Sequence, residues 1–485
     1  MTRGSDSRIF WLLVGLAALL RATYLLEYTA LPFLDAPLFD SVVYLRQAQA
    51  VRAGDLAHPT LLAMSPLYGY LLALVGDSAV VFLQLALGVA ALFLIRRIVE
   101  RAFDPPTALV ACGLYVGYGL LLFFETKVLS ETFGFFLLLC AFERYTSDGF
   151  AAGRVGPALG AGVLLGLAVL ARANVLLASP FFVAAALLRW RGDEAAEARP
   201  ALLFRAALLS AGLALVLGGN GLSNYARTGH FVPVIFPSRT VTATTSTEWD
   251  GSLDSVSTGA SPPSAWDVVR QAEERLRERD TTSIPTIDIG GWLVGAPAKL
   301  AVTFSDIETT FQYGYYGERQ EIRTLDLLPV SFGTLLLLGM VGAIALGRGR
   351  GVRALWPYAP LVLGVLLTTT LFHPSSRYRL PIVVPLLVLG AHGAVSIARM
   401  RPSRRRSMIA GAIVLACAAL TYRTIAYDLR HPGLWELRVA EGEAVRGDGG
   451  AARERIGRAL AVEPDCPAVR ERATYVRGLL GGPPR

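Results

Sequence analysis

The chain is dominated by apolar runs of close to 20 residues, and no other feature limits its folds as much. This is the length that an α-helix needs to cross a bilayer. Of the 485 residues, 53% are hydrophobic and 17% are charged, whereas soluble domains carry about 25% charged residues. The runs lack the alternation of a membrane β-barrel. They predict an all-α polytopic membrane protein with about eleven transmembrane helices, at 9–29, 79–97, 107–124, 128–146, 155–171, 173–189, 203–223, 327–347, 354–372, 379–398 and 408–426.

Basic residues are distributed unevenly between the segments that join these runs. With the N-terminus in the cytosol, the predicted cytosolic segments hold nineteen arginines and the short outer loops hold four basic residues. This bias predicts the orientation and places three larger pieces outside: 30–78, 224–326 and 427–485. Because the arginines alternate with apolar runs, the net charge of +8 points to membrane lipids and not to nucleic acid. The Ala-, Arg- and Gly-rich composition is typical of a GC-rich bacterium, so we expect the inner (plasma) membrane.

The first outer loop is acidic and aromatic, with Asp35, Asp40 and Tyr44. Asp40 and Tyr44 are four residues apart and would share one face of a helix that Pro37 is well placed to begin. Carboxylates beside a bilayer are costly unless they are used, so we expect the catalytic base here. The alternative is that Asp35 caps the helix and Asp40 favours its N-terminal dipole.

Two further outer stretches offer substrate contacts. Tyr68, in a Pro-Leu-Tyr stretch, would stack on a sugar or prenyl chain, or belong to an interfacial aromatic belt. In the turn from Glu125 to Glu131, Lys127 would meet a phosphate and Glu131 would orient that lysine. The alternative is that these charges pair with each other or extend toward the membrane interface.

Three arginines are the remaining binding candidates. Arg172 lies in an otherwise apolar stretch, and Arg377 and Arg379 flank Tyr378 at a predicted outer membrane face. Arginine forks bind phosphate oxygens bidentately, so we expect phosphate contacts. A short outer turn at Arg172, and structural roles for the other two, are the alternatives.

Motifs for cofactors are absent from the sequence. The cysteines form no CxxC pair, and His58, His230 and His373 show no zinc-site spacing. There is no Walker loop and no GxGxxG. The sequence indicates no cofactor with certainty and leaves the need for a divalent metal open.

The C-terminal piece, 427–485, reads as three short helices. The sequence Arg-Ala-Leu-Ala-Val-Glu-Pro-Asp at 458–465 resembles part of one tetratricopeptide unit. A single unit cannot build a solenoid, so we expect this tail to pack on the membrane domain, 1–426. Binding of a protein partner through 427–485 is the second interpretation.

Several short motifs, in this order along the chain, resemble the polyprenyl-phosphate-sugar-dependent glycosyltransferases of the GT-C fold. The similarity is to the family 39 branch of protein mannosyltransferase-like and aminoarabinose transferase-like enzymes, and it covers roughly residues 9–400. The motifs are Leu-Leu-Arg-Ala-Thr-Tyr-Leu in the first span, Asp40-x-x-x-Tyr44-x-x-x-Ala48, Pro66 to Tyr68, Leu129 to Thr132, Asn224 to Val232 and Ser376 to Pro381.

The resemblance implies an inverting membrane glycosyltransferase that moves a sugar from a polyprenyl-phosphate donor to an acceptor hydroxyl on the outer face. The acceptor class, whether glycan, lipid or protein, stays open. The family's first-loop aspartate is its base and maps to Asp40, with Asp35 as the rival. Many members have Asp-Glu here, whereas this chain has Ser41 after Asp40, which keeps both aspartates in contention. An O-antigen-type polymerase or ligase is the alternative enzyme, and a transporter is the alternative from another class.

Overall fold

The computed structural model describes residues 3–188, 199–236, 265–278, 289–399 and 432–481, apart from 309, 311, 312 and 373, together with parts of 408–419. The α-helices, numbered in chain order, are α1 Arg3–Tyr28, α2 Asp40–Arg52, α3 Pro59–Ala63, α4 Pro66–Val75, α5 Ala79–Ala102, α6 Pro105–Gly117, α7 Gly119–Glu125, α8 Glu131–Tyr145, α9 Asp148–Ala151, α10 Val155–Ala171, α11 Ser179–Ala186, α12 Arg199–Thr228, α13 Ala265–Glu278, α14 Ile289–Thr303, α15 Tyr315–Glu321, α16 Arg323–Asp326, α17 Phe332–Arg350, α18 Ala359–Leu371, α19 Ser376–Arg399, α20 Pro432–Arg446, α21 Gly449–Val462 and α22 Pro467–Gly481. Short 3-10 turns at Pro32–Leu34, Ala173–Ala178 and Val352–Tyr358 complete the described elements.

These elements confirm the predicted fold class, an all-α polytopic membrane protein. Six described helical segments are long and apolar enough to cross a membrane: Ser5–Tyr28, Ala79–Ala102, Ala201–Thr228, Phe332–Arg350, Val352–Leu371 and Ser376–Arg399. Four other apolar helical segments are shorter: Pro66–Val75, Pro105–Gly117, Val155–Ala171 and Ala173–Ala186. The predicted eleventh span, 408–426, lies largely outside the described residues.

Two of the predicted spans are interrupted or short in the structure. The predicted span 107–124 is divided into α6 and α7 at Tyr118. Helix α8 has 15 residues, so it is about 22 Å long against a hydrocarbon core of about 30 Å. Irregular backbone at membrane depth is tolerated where it is buried in protein or lines a cavity. The short helix α8 begins at Glu131, which belongs to the candidate site described below.

Close helix pairs depend on glycine, as membrane helix pairs often do. A Cβ on Gly342 of α17 would lie 1.8 Å from the carbonyl oxygen of Leu389 in α19. A Cβ on Gly212 of α12 would lie 2.4 Å from the carbonyl oxygen of Leu159 in α10. The α17–α19 pair is important for the site, because α19 carries Arg377 in its first turn.

The loop predicted to be the first outer one, 30–78, folds as helices separated by tight turns. Helix α2 begins at Asp40 and not near Pro37, because Phe39 takes a positive φ of 55° and breaks the helical path. Asp40 therefore occupies the first turn of α2, where a carboxylate is favoured by the exposed backbone N–H groups. The side chain of Gln47 secures the far side of the loop by donating to the carbonyl oxygen of Thr60, at 2.6 Å.

The C-terminal helices α20, α21 and α22 form a compact unit with its own apolar core, which includes Leu437, Ile456 and Val469. This unit packs against the end of the helical bundle that carries α15, where the indole N–H of Trp435 donates to Glu321 at 2.9 Å. Arg455 pairs with the same carboxylate at 2.7 Å. The tetratricopeptide assignment and the domain boundary at 426 stay predictions.

Candidate active site

A chain of ionic contacts joins three helix starts at one end of the bundle. Arg377, in the first turn of α19, binds the Oδ2 atom of Asp40 through Nη1 at 2.8 Å. The Nε–H of Arg377 donates to Oε1 of Glu131, the first residue of α8. Arg172 binds that Oε1 atom through Nη1 at 2.6 Å. Asp40, Glu131, Arg172 and Arg377 therefore form one continuous network, named here the ionic chain.

Because the ionic chain is buried, each of its charges depends on the others for compensation. The Glu131 side chain has no exposed surface, and those of Asp40 and Arg377 are 16% and 15% exposed. Removing the fully buried Glu131 charge would typically cost about 3–5 kcal/mol, because its arginine partners would be left without compensation. The second carboxylate oxygen of Glu131 is buried and has no hydrogen-bond partner among the described residues.

A glycine makes the reach of Arg172 to Glu131 feasible. Arg172 follows α10, and its side chain lies across Gly134 of α8, where a Cβ would be 2.2 Å from Cγ of Arg172. The Arg172 guanidinium also donates to the backbone carbonyl of Arg377 at 3.2 Å. Arg172 thus ties α8 to the start of α19.

The ionic chain borders a cavity of about 400 Å³. Its lining includes both polar and apolar residues. The polar lining residues include Asp40, Tyr44, Ser65, Ser130, Arg172, Asn174, Arg377 and Tyr378, and the apolar lining residues include Ala63, Met64, Leu176, Leu177, Val234, Ile235, Phe236 and Phe372. A cavity with this mixed lining fits a ligand with a polar head and an aliphatic chain.

Tyr44 of α2 and Tyr68 of α4 pack together next to the polar lining residues of the cavity. The hydroxyls of Tyr44 and Ser130 share a hydrogen bond of 3.0 Å. Burial raises the pKa of Tyr44 to about 12, so its hydroxyl stays protonated at neutral pH. Tyr68 does not line the cavity; its ring lies edge-on to that of Tyr44, at 4.9 Å between centroids, and its hydroxyl donates to Gln84.

Asp35 is placed apart from the cavity. It is exposed, at the end of the 3-10 turn Pro32–Leu34, and its backbone N–H donates to the carbonyl oxygen of Pro32. Asp40 lines the cavity and Asp35 does not. The choice of base is taken up below as a proposal.

Lys127 also lies apart from the cavity, in a buried cluster with Glu318 and aromatic side chains. Its Nζ atom lies 2.7 and 2.8 Å from the two carboxylate oxygens of Glu318, and both side chains are completely buried. Burial lowers the pKa of Lys127 to about 8 and raises that of Glu318. The rings of Phe123 and Tyr28 lie 3.8 and 4.3 Å from Nζ. The residue expected to meet a phosphate has an internal carboxylate partner instead.

Arg379 likewise has an internal partner. It pairs with Glu308 at 2.5 Å and donates to the backbone carbonyls of Thr303 and Ser305, both at 2.9 Å. Its guanidinium lies 3.8 Å from the ring centroid of Phe332. Arg379 therefore holds the segment after α14 against α19, and only its neighbour Arg377 faces the cavity.

Sequence reasoning missed the segment that follows α12. The backbone N–H of Phe236 donates to the carbonyl oxygen of Leu62 at 2.8 Å, which brings Val234 to Phe236 over the cavity. The Asn224 side chain donates to the carbonyl oxygen of Val232 at 2.7 Å. The first residue of the Asn224 to Val232 motif therefore stabilises this segment locally. The motif could therefore have pointed to this segment, but it gave no information on what the segment contacts in space.

The donor set of the site does not fit a divalent metal. Asp40 and Glu131 are the carboxylates of the ionic chain, and each already pairs with an arginine. Within the described ranges, no three His, Cys, Asp or Glu side chains are arranged to hold one ion. His58 caps α3 through the Thr60 N–H, and His373 lies outside the described residues. No step below uses a metal.

Comparison with solved structures identifies a similar fold. The archaeal oligosaccharyltransferase AglB from Archaeoglobus fulgidus, in complex with an inhibitory peptide and a dolichol-phosphate, has a TM-score of 0.50 at 14% identity; the match covers 93% of this chain and 59% of AglB. The Archaeoglobus fulgidus oligosaccharyltransferase in the apo form gives a TM-score of 0.45 at 13% identity, covering 98% and 60%. No family model and no curated protein matches the sequence.

This similarity concerns the fold. The chain spans about three fifths of the length of the oligosaccharyltransferase that it matches. The match supports the expected GT-C-like architecture at a coarse level, while membership of the family 39 branch stays a prediction.

We predict that Glu131→Gln destabilises the protein strongly, because Arg172 and Arg377 would lose the negative charge between them. The expected loss in the free energy of unfolding is about 3–5 kcal/mol, measured by denaturant unfolding in detergent micelles. The matched control is Glu100→Gln, since Glu100 pairs with Arg96 on a partly exposed helix face and should change the free energy of unfolding by less than about 1 kcal/mol. Equal effects of the two variants would contradict the role given to Glu131.

We also predict that Lys127→Met lowers the melting temperature, because it leaves the Glu318 carboxylate buried without its cation. Adding Glu318→Gln should recover much of the loss, since neutral replacement of both partners of a buried pair is often tolerated. Thermal unfolding of both variants in the same detergent measures this coupling. A double variant no more stable than Lys127→Met would argue against the pairing.

Proposed function

We propose that this chain is a membrane glycosyltransferase that transfers a sugar from a polyprenyl-phosphate donor to an acceptor hydroxyl, with inversion at the anomeric carbon and Asp40 as the base. The observation that carries the proposal is the contact of Asp40 with Arg377 at 2.8 Å, in the lining of a cavity that has both polar and apolar residues. A general base and a cation for the leaving group are what this transfer needs.

The mixed lining of the cavity supports the choice of donor. Leu176, Leu177 and Phe372 offer apolar surface to a prenyl chain, and Arg172 and Arg377 offer guanidinium groups to its phosphate. Ser130, Asn174 and the neutral hydroxyl of Tyr44 are positioned for sugar hydroxyls. The dolichol-phosphate bound in the AglB complex belongs to that protein; a lipid phosphate of the same chemical class is part of this proposal.

The transfer conserves charge within the site. Asp40 takes the proton of the acceptor hydroxyl as the acceptor oxygen attacks the anomeric carbon from the face opposite the phosphate. The carbon–oxygen bond to the phosphate breaks, and its electron pair goes to the phosphate oxygen. The negative charge that Asp40 loses thus reappears on the phosphate. Arg377, which pairs with Asp40 before the reaction, can move its hydrogen bond to the leaving group.

The proposed setting is the bacterial inner membrane, with the N-terminus in the cytosol and the site on the outer face. The predicted outer residues Asp40, Ser130, Arg172 and Arg377 meet at one cavity. The predicted cytosolic Arg101 and Arg350 line a different cavity, of about 400 Å³. Both groupings support the orientation derived from the arginine bias. The sugar and the acceptor, whether protein, lipid or polysaccharide, are to be identified by experiment.

We predict that Asp40→Asn lowers turnover by about 10²–10⁴-fold, the usual contribution of a general base, without loss of folding. The measurement is release of free polyprenyl phosphate from a panel of polyprenyl-phosphate sugars, with a cell-envelope extract as acceptor. Asp35→Asn is the control and should retain wild-type turnover. If Asp35→Asn loses activity and Asp40→Asn keeps it, the base is Asp35. No release with any donor, in wild type and variants alike, would favour the polymerase interpretation.

We further predict that Arg377→Ala weakens donor binding about 10- to 100-fold, since a hydrogen bond to a charged group contributes about 1.5–3 kcal/mol. Binding of a polyprenyl phosphate to the purified protein in nanodiscs measures this. Arg52→Ala is the control, because Arg52 forms an exposed pair with Asp77 in the same outer loop region. Unchanged affinity in Arg377→Ala would remove the phosphate role from this arginine.

A further inference from the structure

The C-terminal unit, α20 to α22, contacts the first outer loop immediately before Asp40. Gly442 of α20 packs on Pro32, and a Cβ there would lie 2.7 Å from Cγ of Pro32. The Trp435 ring meets the Phe33 ring at 6.0 Å between centroids, edge to face. Gly317 of α15 lies beneath the same indole, where a Cβ would be 2.2 Å from the ring. The tail is thus seated on the loop and on α15 together.

Phe39 has a conformation that needs support. Its φ of 55° lies in the left-handed region, which a residue with a large side chain rarely adopts. The guanidinium groups of Arg438 and Arg472, from the tail, lie 5.5 and 5.9 Å from the centroid of its ring, within the range of cation–π attraction. From the membrane domain, the Tyr313 ring lies edge-on at 6.2 Å. The tail and the membrane domain hold Phe39 between them.

Tyr313 also contacts Leu38 and Ser41, the residues on either side of Phe39 and Asp40. Its hydroxyl accepts the backbone N–H of Leu38 at 3.0 Å and shares a hydrogen bond of 3.0 Å with the Ser41 hydroxyl. Tyr313 also packs edge-on against Phe33, at 5.4 Å, and Phe33 is the residue that the tail covers through Trp435. The position of the Asp40 backbone is therefore set by contacts that include the tail.

We propose that the C-terminal unit is a positioning element for Asp40: Gly442, Trp435, Arg438 and Arg472 hold residues 32–39 in the conformation that directs Asp40 to Arg377. The structural part concerns the loop alone, and its catalytic consequence rests on the proposed function. None of the four residues touches the cavity, so they act through the loop.

Two glycines in the tail provide a matched test in the full-length protein. Gly442→Ala favours helix α20 itself, and the heavy atoms nearest to its new methyl group belong to Pro32 and Phe33, at 2.7 to 3.3 Å. Gly457→Ala is the control, because no atom lies within 4 Å of the Cβ it would add in α21. Hydrogen–deuterium exchange of residues 32–44, in nanodiscs without donor, reports the loop directly. We expect at least threefold faster initial exchange in Gly442→Ala and wild-type exchange in Gly457→Ala.

A second variant and a kinetic readout complete the test. Trp435→Ala should accelerate exchange in the same peptides, and Trp435→Phe, which keeps a ring against Gly317, should restore much of the protection. With an active donor, Gly442→Ala should lower kcat at least tenfold and leave the donor KM within twofold. Wild-type exchange in both Gly442→Ala and Trp435→Ala overturns the proposal, as does an unchanged kcat. Absence of turnover in the wild type would instead count against the proposed function, and the exchange result would still decide the structural part.

Discussion

The Arg377 guanidinium, shared between Asp40 and Glu131, is the interaction on which the arrangement of the candidate site depends. Arg377 lies 337 residues from Asp40 and 246 from Glu131 along the chain. Asp40 and Glu131 each occupy the first turn of a helix, where a carboxylate is favoured by the N-terminal dipole. Helix electrostatics thus prepares two carboxylates, and one arginine joins them. This single cation fixes α2, α8 and α19 relative to one another at the cavity.

The charges of the ionic chain balance, and this limits what the site can accept. Two arginines face two carboxylates, in a place where an unpaired charge would be costly. A substrate phosphate would therefore compete with a carboxylate for an arginine. The Asp40–Arg377 pair is the more exposed link and Glu131 is the more buried one. Exchange at Asp40, with Glu131 left in place, is consistent with the proposed reaction, in which Asp40 becomes neutral as the phosphate gains charge.

The fold class followed from the apolar runs, and part of the site followed from charges placed at the ends of spans. Asp40, Tyr44, Arg172 and Arg377 were predicted to face outward and they share one cavity. Their separation along the chain, by contrast, contains no information on which arginine meets which carboxylate. Spacing does explain one distinction: residues two apart on a helix do not share a face, so Arg377 and Arg379 at the start of α19 could not both reach the same ligand.

The partners of Lys127 and Arg379 could not be predicted for a related reason. Glu318 lies 191 residues from Lys127, and Glu308 lies 71 residues from Arg379. Both carboxylates belong to the long outer loop, whose sequence shows no periodicity that would mark them. A basic residue beside a membrane span has the same local pattern whether it binds a phosphate or an internal carboxylate. Only the positions of Glu308 and Glu318 in the folded chain separate the two cases.

The Asp40-Ser41 step gives physical meaning to the departure from the Asp-Glu pattern of the family that the chain resembles. Ser41 is fully buried, and its hydroxyl bonds to that of Tyr313 at 3.0 Å. A glutamate here would bury a second carboxylate against a tyrosine hydroxyl, with no cation among the contacts that the structure gives Ser41. This chain instead uses position 41 to tie α2 to the segment before α15. The loop therefore presents one carboxylate to the cavity, Asp40, and this carboxylate pairs with Arg377.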